Sequence, residues 1–144
     1  LRFDLAEKNH VDNATARGRW ALVYLGSAGQ CDSRCQTALY DMRQVRLALG
    51  KDMSRVVTLL LLDAVPEDGL HQWLATEHAA MLLGLADAKT RNSLPEAFGQ
   101  PGPSGDWVYL LDPLGNLLMR YPVTVDPSGI LKDLRRLLRL SEIG

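Results

Sequence analysis

The sequence predicts a single α/β domain over residues 1–144: a mixed central sheet, helices on its faces, and an antiparallel edge. Three observations predict it. Trp20 to Leu25 (WALVYL) and Val56 to Leu62 (VVTLLLL) are uninterrupted apolar runs of strand length, the pattern of strands buried on both faces. A stretch with helical periodicity follows each run. Late in the chain, Trp107 to Leu111, a turn at Asp112-Pro113-Leu114-Gly115-Asn116, and Leu117 to Tyr121 read as a hairpin.

The elements follow in order. Arg2 to Leu5 alternates and predicts a short edge strand, and the polar stretch to Arg19 a loop or hairpin. Gly26-Ser27-Ala28-Gly29 breaks the first buried strand with small residues. A helix fits from Asp32 or Ser33 to Leu49, with Leu39, Met42, Val45 and Leu49 at helical spacing and Gly50 as its stop. Pro66 to Gly69 leads into a second helix through Leu70, Trp73 and Leu74. Met81 to Leu85 is apolar but too short to assign. Asp87 caps a helix through Leu94, with Pro95 near its end. Gly99 to Gly105 is a Pro/Gly-rich loop. Asp126 and Pro127 predict an N-cap and first helical residue. Ile130, Leu131, Leu134, Leu137 and Leu138 then form an apolar face, with Arg135, Arg136 and Arg139 opposite on a solvated one.

Bulk composition excludes several function classes. Sixteen basic and seventeen acidic residues leave a net charge of -1, so no strong pull towards nucleic acid follows. No apolar run approaches the roughly 18 residues of a membrane span. The chain begins at Leu1 rather than Met, which leads us to expect a preceding segment such as an N-terminal membrane anchor. The three histidines, His10, His71 and His78, do not pair with the cysteines in a zinc pattern.

The chemistry-bearing residues are Cys31 and Cys35, the only two cysteines. Chance would bring two cysteines this close about one time in twenty. Cys31 follows a buried strand at the front of a predicted helix, where free N–H groups and the helix dipole favour a thiolate. Arg34 supports that charge and Asp32 opposes it. Cys35, one turn on, is expected on the same helix face with its Cα roughly 6 Å away, within disulfide reach. Three readings stay open: a redox pair in which Cys31 exchanges and Cys35 resolves; two soft ligands for Cu(I); or a local disulfide or two inert thiols. Whether exchange amounts to enzymatic turnover, as in a thiol-disulfide oxidoreductase, is left open too.

The segment GRWALVYLGSAGQCDSRCQTAL, Gly18 to Leu39, resembles the active-site segment of the SCO/SenC proteins, thioredoxin-fold factors of cytochrome c oxidase assembly. WVYLLDPLGNLL, Trp107 to Leu118, is similar to that family's late hairpin, and VVTLLLLDAVPED to the strand before its second helix. The resemblance spans roughly Phe3 to Leu140. It implies a thioredoxin-like fold, thiol–disulfide exchange or copper binding at Cys31 and Cys35, and an extracytoplasmic, membrane-tethered setting such as the periplasm. It also implies a partner: a Cys-bearing oxidase subunit or a copper chaperone.

The family's third copper ligand is a histidine eight residues before the hairpin Asp; here that position is Ser104, and no histidine follows His78. Gln30 and Asp32 stand where the family carries prolines around its cysteines. The proline that faces the disulfide in the wider superfamily has no counterpart between Asp106 and Asp112; Pro101 and Pro103 are off register. His71 and His78 are the remaining imidazoles and are expected on the surface of the second helix. Met42 fits its helix core, and Trp20 and Trp107 are expected in or near the core. The leading expectation is thiol–disulfide exchange serving oxidase copper-site maturation. The alternatives are a Cu(I) metallochaperone with an unidentified third ligand, and an assembly scaffold without chemistry.

Overall fold

The computed structural model describes residues 4–5, 18–100, 102 and 105–141. Among the described residues, six strands form one sheet: β1 (Asp4–Leu5), β2 (Trp20–Leu25), β3 (Val56–Leu62), β4 (Leu82–Leu85), β5 (Trp107–Leu111) and β6 (Leu117–Pro122). The α-helices among the described residues are α1 (Ser33–Ala48), α2 (Asp68–Glu77), α3 (Ala88–Glu96) and α4 (Ser128–Leu140). A 3-10 segment, Gly50–Arg55, joins α1 to β3. The sheet order is β1-β4-β3-β2-β5-β6.

The two apolar runs lie side by side at its centre. β2 pairs parallel with β3 from Trp20 opposite Val56 to Leu25 opposite Leu61, and every residue of β2 and β3 is buried. Such strands carry no polar alternation because helices cover both faces. On one face Leu22, Tyr24, Leu60 and Val108 meet Leu39 and Met42 of α1, Leu70 and Leu74 of α2, and Ile130, Leu134 and Leu138 of α4. On the other, Val23, Leu59, Leu61 and Tyr109 meet Leu94 of α3. The mixed character comes from β5, antiparallel to β2, and from the β5–β6 hairpin and the edge strand β1.

Most expected elements form where the pattern places them. The apolar segment left unassigned is β4, parallel to β3. Its four residues are too few to show a period, and its place in the sheet comes from backbone pairing on both sides. The last helix begins one residue later than expected: Pro127 is the cap, and Asp126 accepts a hydrogen bond from the Ser128 N–H at 2.8 Å. Within the predicted turn, the Asp112 carboxylate accepts from the N–H groups of Leu114 and Asn116 at 3.0 and 2.8 Å. Among the described residues no helix is long and apolar enough to cross a membrane.

Candidate functional site

The C-terminal ends of β2 and β3 set the site. β2 leaves the sheet at Gly26, whose N–H donates to the Leu61 carbonyl at 2.9 Å. A Cβ here would stand 2.7 Å from Leu60 Cδ1, so the close approach requires glycine. The loop is tied onward: the Glu67 N–H donates to the Ala28 carbonyl at 3.1 Å, just before α2.

Asp32 then starts α1. Its carboxylate accepts from the Cys35 N–H at 2.9 Å, and its carbonyl from the Gln36 N–H at 2.8 Å. Cys31 therefore lies outside the helix, one residue before its cap, not on its first face as the spacing suggests. Its carbonyl accepts from the Gln36 side-chain amide at 2.9 Å. Cys35 is the third helical residue. The two cysteines are joined as a disulfide, with Cα atoms 5.1 Å apart. Their surroundings differ: Cys35 is 5% exposed within the α1 core, whereas Cys31 is half-buried at its edge.

Three partners that sequence reasoning missed hold this end together. Tyr24, on β2, donates its hydroxyl to the Gly105 carbonyl at 2.9 Å. Burial pushes its phenol up to about 12, with the Asp32 and Asp106 carboxylates adding and Arg34 opposing, so it stays a donor at any physiological pH. Next along the chain, Asp106 forms an ion pair with Arg34. Arg34 is thus committed to the segment entering β5, while the Asp32 carboxylate is held on the Cys35 N–H. A pocket of about 320 Å³ opens beside Cys35, with Gln30, Asp32, Asp63 and Arg91 among its walls. Arg91 reaches across from α3 to donate to the Gly26 carbonyl at 2.7 Å. No local pattern foretells these contacts, since Tyr24 and Gly105 are 81 positions apart and Arg34 and Asp106 are 72 apart.

The remaining candidates are placed elsewhere. His78 is 6% exposed, not on the surface as expected. It is the C-cap of α2, where the chain turns its ring edge-on to Trp73 at 5.2 Å. Burial lowers its basicity, with Arg43 adding to that and Glu77 opposing. Arg43 also donates to the Glu77 carbonyl, which sets this corner beside α1 about 12 Å of helix beyond Cys35. His71 is half-buried in α2. Ser104, Pro101 and Pro103 lie outside the described residues. Met42 and Trp20 are buried in the core as expected, and Trp107 is half-buried beneath the Arg120 guanidinium at 3.8 Å.

Comparison with known proteins fits this geometry. A family model described as transmembrane-like, thioredoxin-like, C-terminal domain matches residues 20–141. The chain belongs to that family. Among solved structures, copper-bound ScoI of Bradyrhizobium japonicum superposes with a TM-score of 0.65 at 20% identity, covering 93% of this chain and 96% of that one. Yeast Sco1 gives 0.68 at 13% identity, covering 96% and 92%. The thioredoxin domain of a thiol-disulfide oxidoreductase from Bacteroides vulgatus gives 0.59 at 14%, covering 95% and 91%. No curated protein matches. The fold is thioredoxin-like, as the resemblance implied, and the Sco proteins are among its structural neighbours.

For copper, the described donor set is short. No group of three or more His, Cys, Asp and Glu side chains converges among the described residues. The reduced pair would supply two thiolates, enough for Cu(I) and a poor match to Cu(II), which wants more and harder ligands.

Proposed function

We propose that this protein is an extracytoplasmic thiol–disulfide exchange factor of Sco-like type, acting on a cysteine-bearing partner in the maturation of a respiratory oxidase copper site. The observation that carries the exchange chemistry is the asymmetry of the pair: a half-buried Cys31 bonded to a Cys35 that is 5% exposed. A partner thiolate has readier access to Cys31, the more exposed of the two residues. Its attack on Cys31 Sγ breaks the Cys31–Cys35 bond and forms a mixed disulfide. Cys35 departs as a thiolate at the positive end of α1 and takes a proton from water. A second partner thiolate then attacks the partner's own sulfur in the mixed disulfide. The partner leaves oxidised, and Cys31 leaves reduced. Two electrons pass to the pair; the same steps reversed reduce a partner disulfide, with Cys35 resolving. The oxidase partner and the compartment are supported by the Sco-like fold, and an oxidising compartment suits a reversible pair.

The test is exchange between the reduced protein and a peptide that carries an internal disulfide, followed by mass. Cys35→Ser should hold the peptide on Cys31 as a mixed disulfide, and Cys31→Ser should exchange nothing. Normal exchange by Cys31→Ser overturns the reading. A reduction potential above the roughly −300 mV of structural disulfides is expected, and a value well below it would leave only a scaffold role.

The copper-bound ScoI structure on the same fold favours a second reading, Cu(I) carried as cargo by the reduced Cys31 and Cys35. Competition with a chromogenic Cu(I) chelator decides it. One-to-one binding lost in Cys31→Ser would establish it, and no competition would remove it.

A further inference from the structure

The end of the molecule opposite the disulfide is basic. Lys132, Arg135, Arg136 and Arg139 line the exposed flank of α4. Together with Leu131 they border an open groove of about 780 Å³ along the helix. Hydrogen bonds fix this flank to neighbouring segments that also carry cations. Arg135 donates to the Ala48 carbonyl at the end of α1 at 3.1 Å. Arg55 donates to the Ser141 carbonyl at 3.1 Å, and Arg46 to the Val56 carbonyl at 2.8 Å. Lys51 is exposed on the 3-10 segment between them.

Two carboxylates on these segments, Asp133 and Asp52, offset part of the charge. Asp133 accepts from the Tyr121 hydroxyl at 2.8 Å. Asp52 faces Arg55 at 3.6 Å. Asp41 lies about two turns of α1 before Ala48, near Asp126, whose charge adds to burial in raising its carboxyl. A chain of net charge -1 therefore sets seven cations against Asp52 and Asp133 on these segments.

We propose that this end docks on an anionic lipid surface and presents the disulfide away from it. The cations are spread along α4 and the end of α1 and do not converge on a buried anchor, which suits a sheet of headgroups better than a protein epitope. Exposed leucines stand at its borders: Leu47 is 54% exposed and Leu140 73%. Such side chains enter the headgroup boundary beside Lys and Arg. The thirteen steps of α1 from Cys35 to Ala48 set the sulfurs about 20 Å from its basic end. The inference rests on charge placement and not on the thiol chemistry.

Flotation of the oxidised protein with phosphatidylcholine vesicles, with and without about one-third phosphatidylglycerol, tests it at low salt and at about 1 M salt, where screening acts over ~3 Å. Binding should appear only with the anionic lipid and only at low salt. Each cation removed should weaken it about fivefold, so that Lys132→Gln/Arg136→Gln/Arg139→Gln loses on the order of a hundredfold. The single variants, each about fivefold weaker, carry the same test should the triple variant lose its native circular dichroism. Lys89→Gln, at the disulfide end, should bind like the parent. Reduced Cys31 on vesicle-bound protein should still react with a bulky maleimide. No binding to anionic vesicles, equal binding to neutral ones, or equal loss in Lys89→Gln overturns the proposal. So does a polyglutamate that captures the protein more tightly than the vesicles, which would assign the surface to an acidic protein. Loss of maleimide access overturns the orientation.

Discussion

The two ends of the sheet are built on different principles. At the C-terminal ends of β2 and β3, atoms are pinned: Asp32 to the Cys35 N–H, Tyr24 to the Gly105 carbonyl, Arg34 to Asp106, Arg91 to the Gly26 carbonyl. At the other end, Lys132, Arg136 and Arg139 project from α4 into solvent. Covalent exchange needs one sulfur within reach and the other held behind it, so it demands contacts between distant segments. Charge docking needs only the right sign on a common side. The first end is sensitive to single atoms, and the second should respond in proportion to charge.

The widest separation between the ends should appear in exchange kinetics. Cys31→Ser should drop exchange to the uncatalysed background, while Lys132→Gln/Arg136→Gln/Arg139→Gln leaves the rate with a soluble neutral thiol unchanged. A rate that follows the charge variant would mean that the two ends are coupled, and would break the division.

Gly105→Ala should give the next largest effect. Its Cβ would stand 2.7 Å from the Tyr24 hydroxyl oxygen, so the loop must shift and the hydrogen bond is lost. We expect a cost of about 1–3 kcal/mol in urea unfolding. In a Tyr24→Phe background the same substitution should cost less, because the clashing oxygen is gone. An additive pair would show that the strain lies elsewhere.

Tyr24→Phe alone should cost about 1 kcal/mol at neutral pH, the net worth of one hydrogen bond. It also changes the alkaline limb. The Tyr24 phenol is raised from 10.0 to about 12 in the folded protein, so above pH 10 the unfolded chain loses this proton first. Stability from this group is complete below pH 10 and falls as pH rises towards about 12. Burial and the Asp133 carboxylate raise Tyr121 as well, so the parent should keep a declining limb that Tyr24→Phe makes shallower. An unchanged slope in the variant would remove Tyr24 from the site's electrostatics.

How much of this was legible depended on whether a signal was local. β2 and β3 were readable because burial on both faces leaves an unbroken apolar run, and Asp87 because a cap acts within three residues. β4 was not, since Leu82 to Leu85 owes its state to β3 and β1. Cys31 and Cys35 were legible as a pair. That Cys31 lies outside the helix, and that Tyr24 and Asp106 close the site, depends on tertiary contacts with no periodic trace. His78 was misread because polar neighbours such as Gln72 and Glu77, and the usual exposure of histidine, suggested a wet face. The α2 C-cap instead turns its ring towards Trp73.

The smallest expected effect bears on whether the pinned end needs every pin. Arg34 and Asp106 form an ion pair with both side chains about half exposed. Exposed pairs of this kind contribute ~0–1 kcal/mol, because water screens the charges and two side chains lose freedom. Arg34→Gln should therefore unfold within about 1 kcal/mol of the parent. Its effect on chemistry should exceed its effect on stability. The substitution leaves the Asp32 and Asp106 carboxylates near the pair without their cation, which disfavours a thiolate and the reduced form. The disulfide should become harder to reduce, so its measured potential should move to a more negative value. A potential that stays put while stability falls would make Arg34 a strut like any other. A potential that moves while stability holds would show that this end is tuned by charge as well as held by contact.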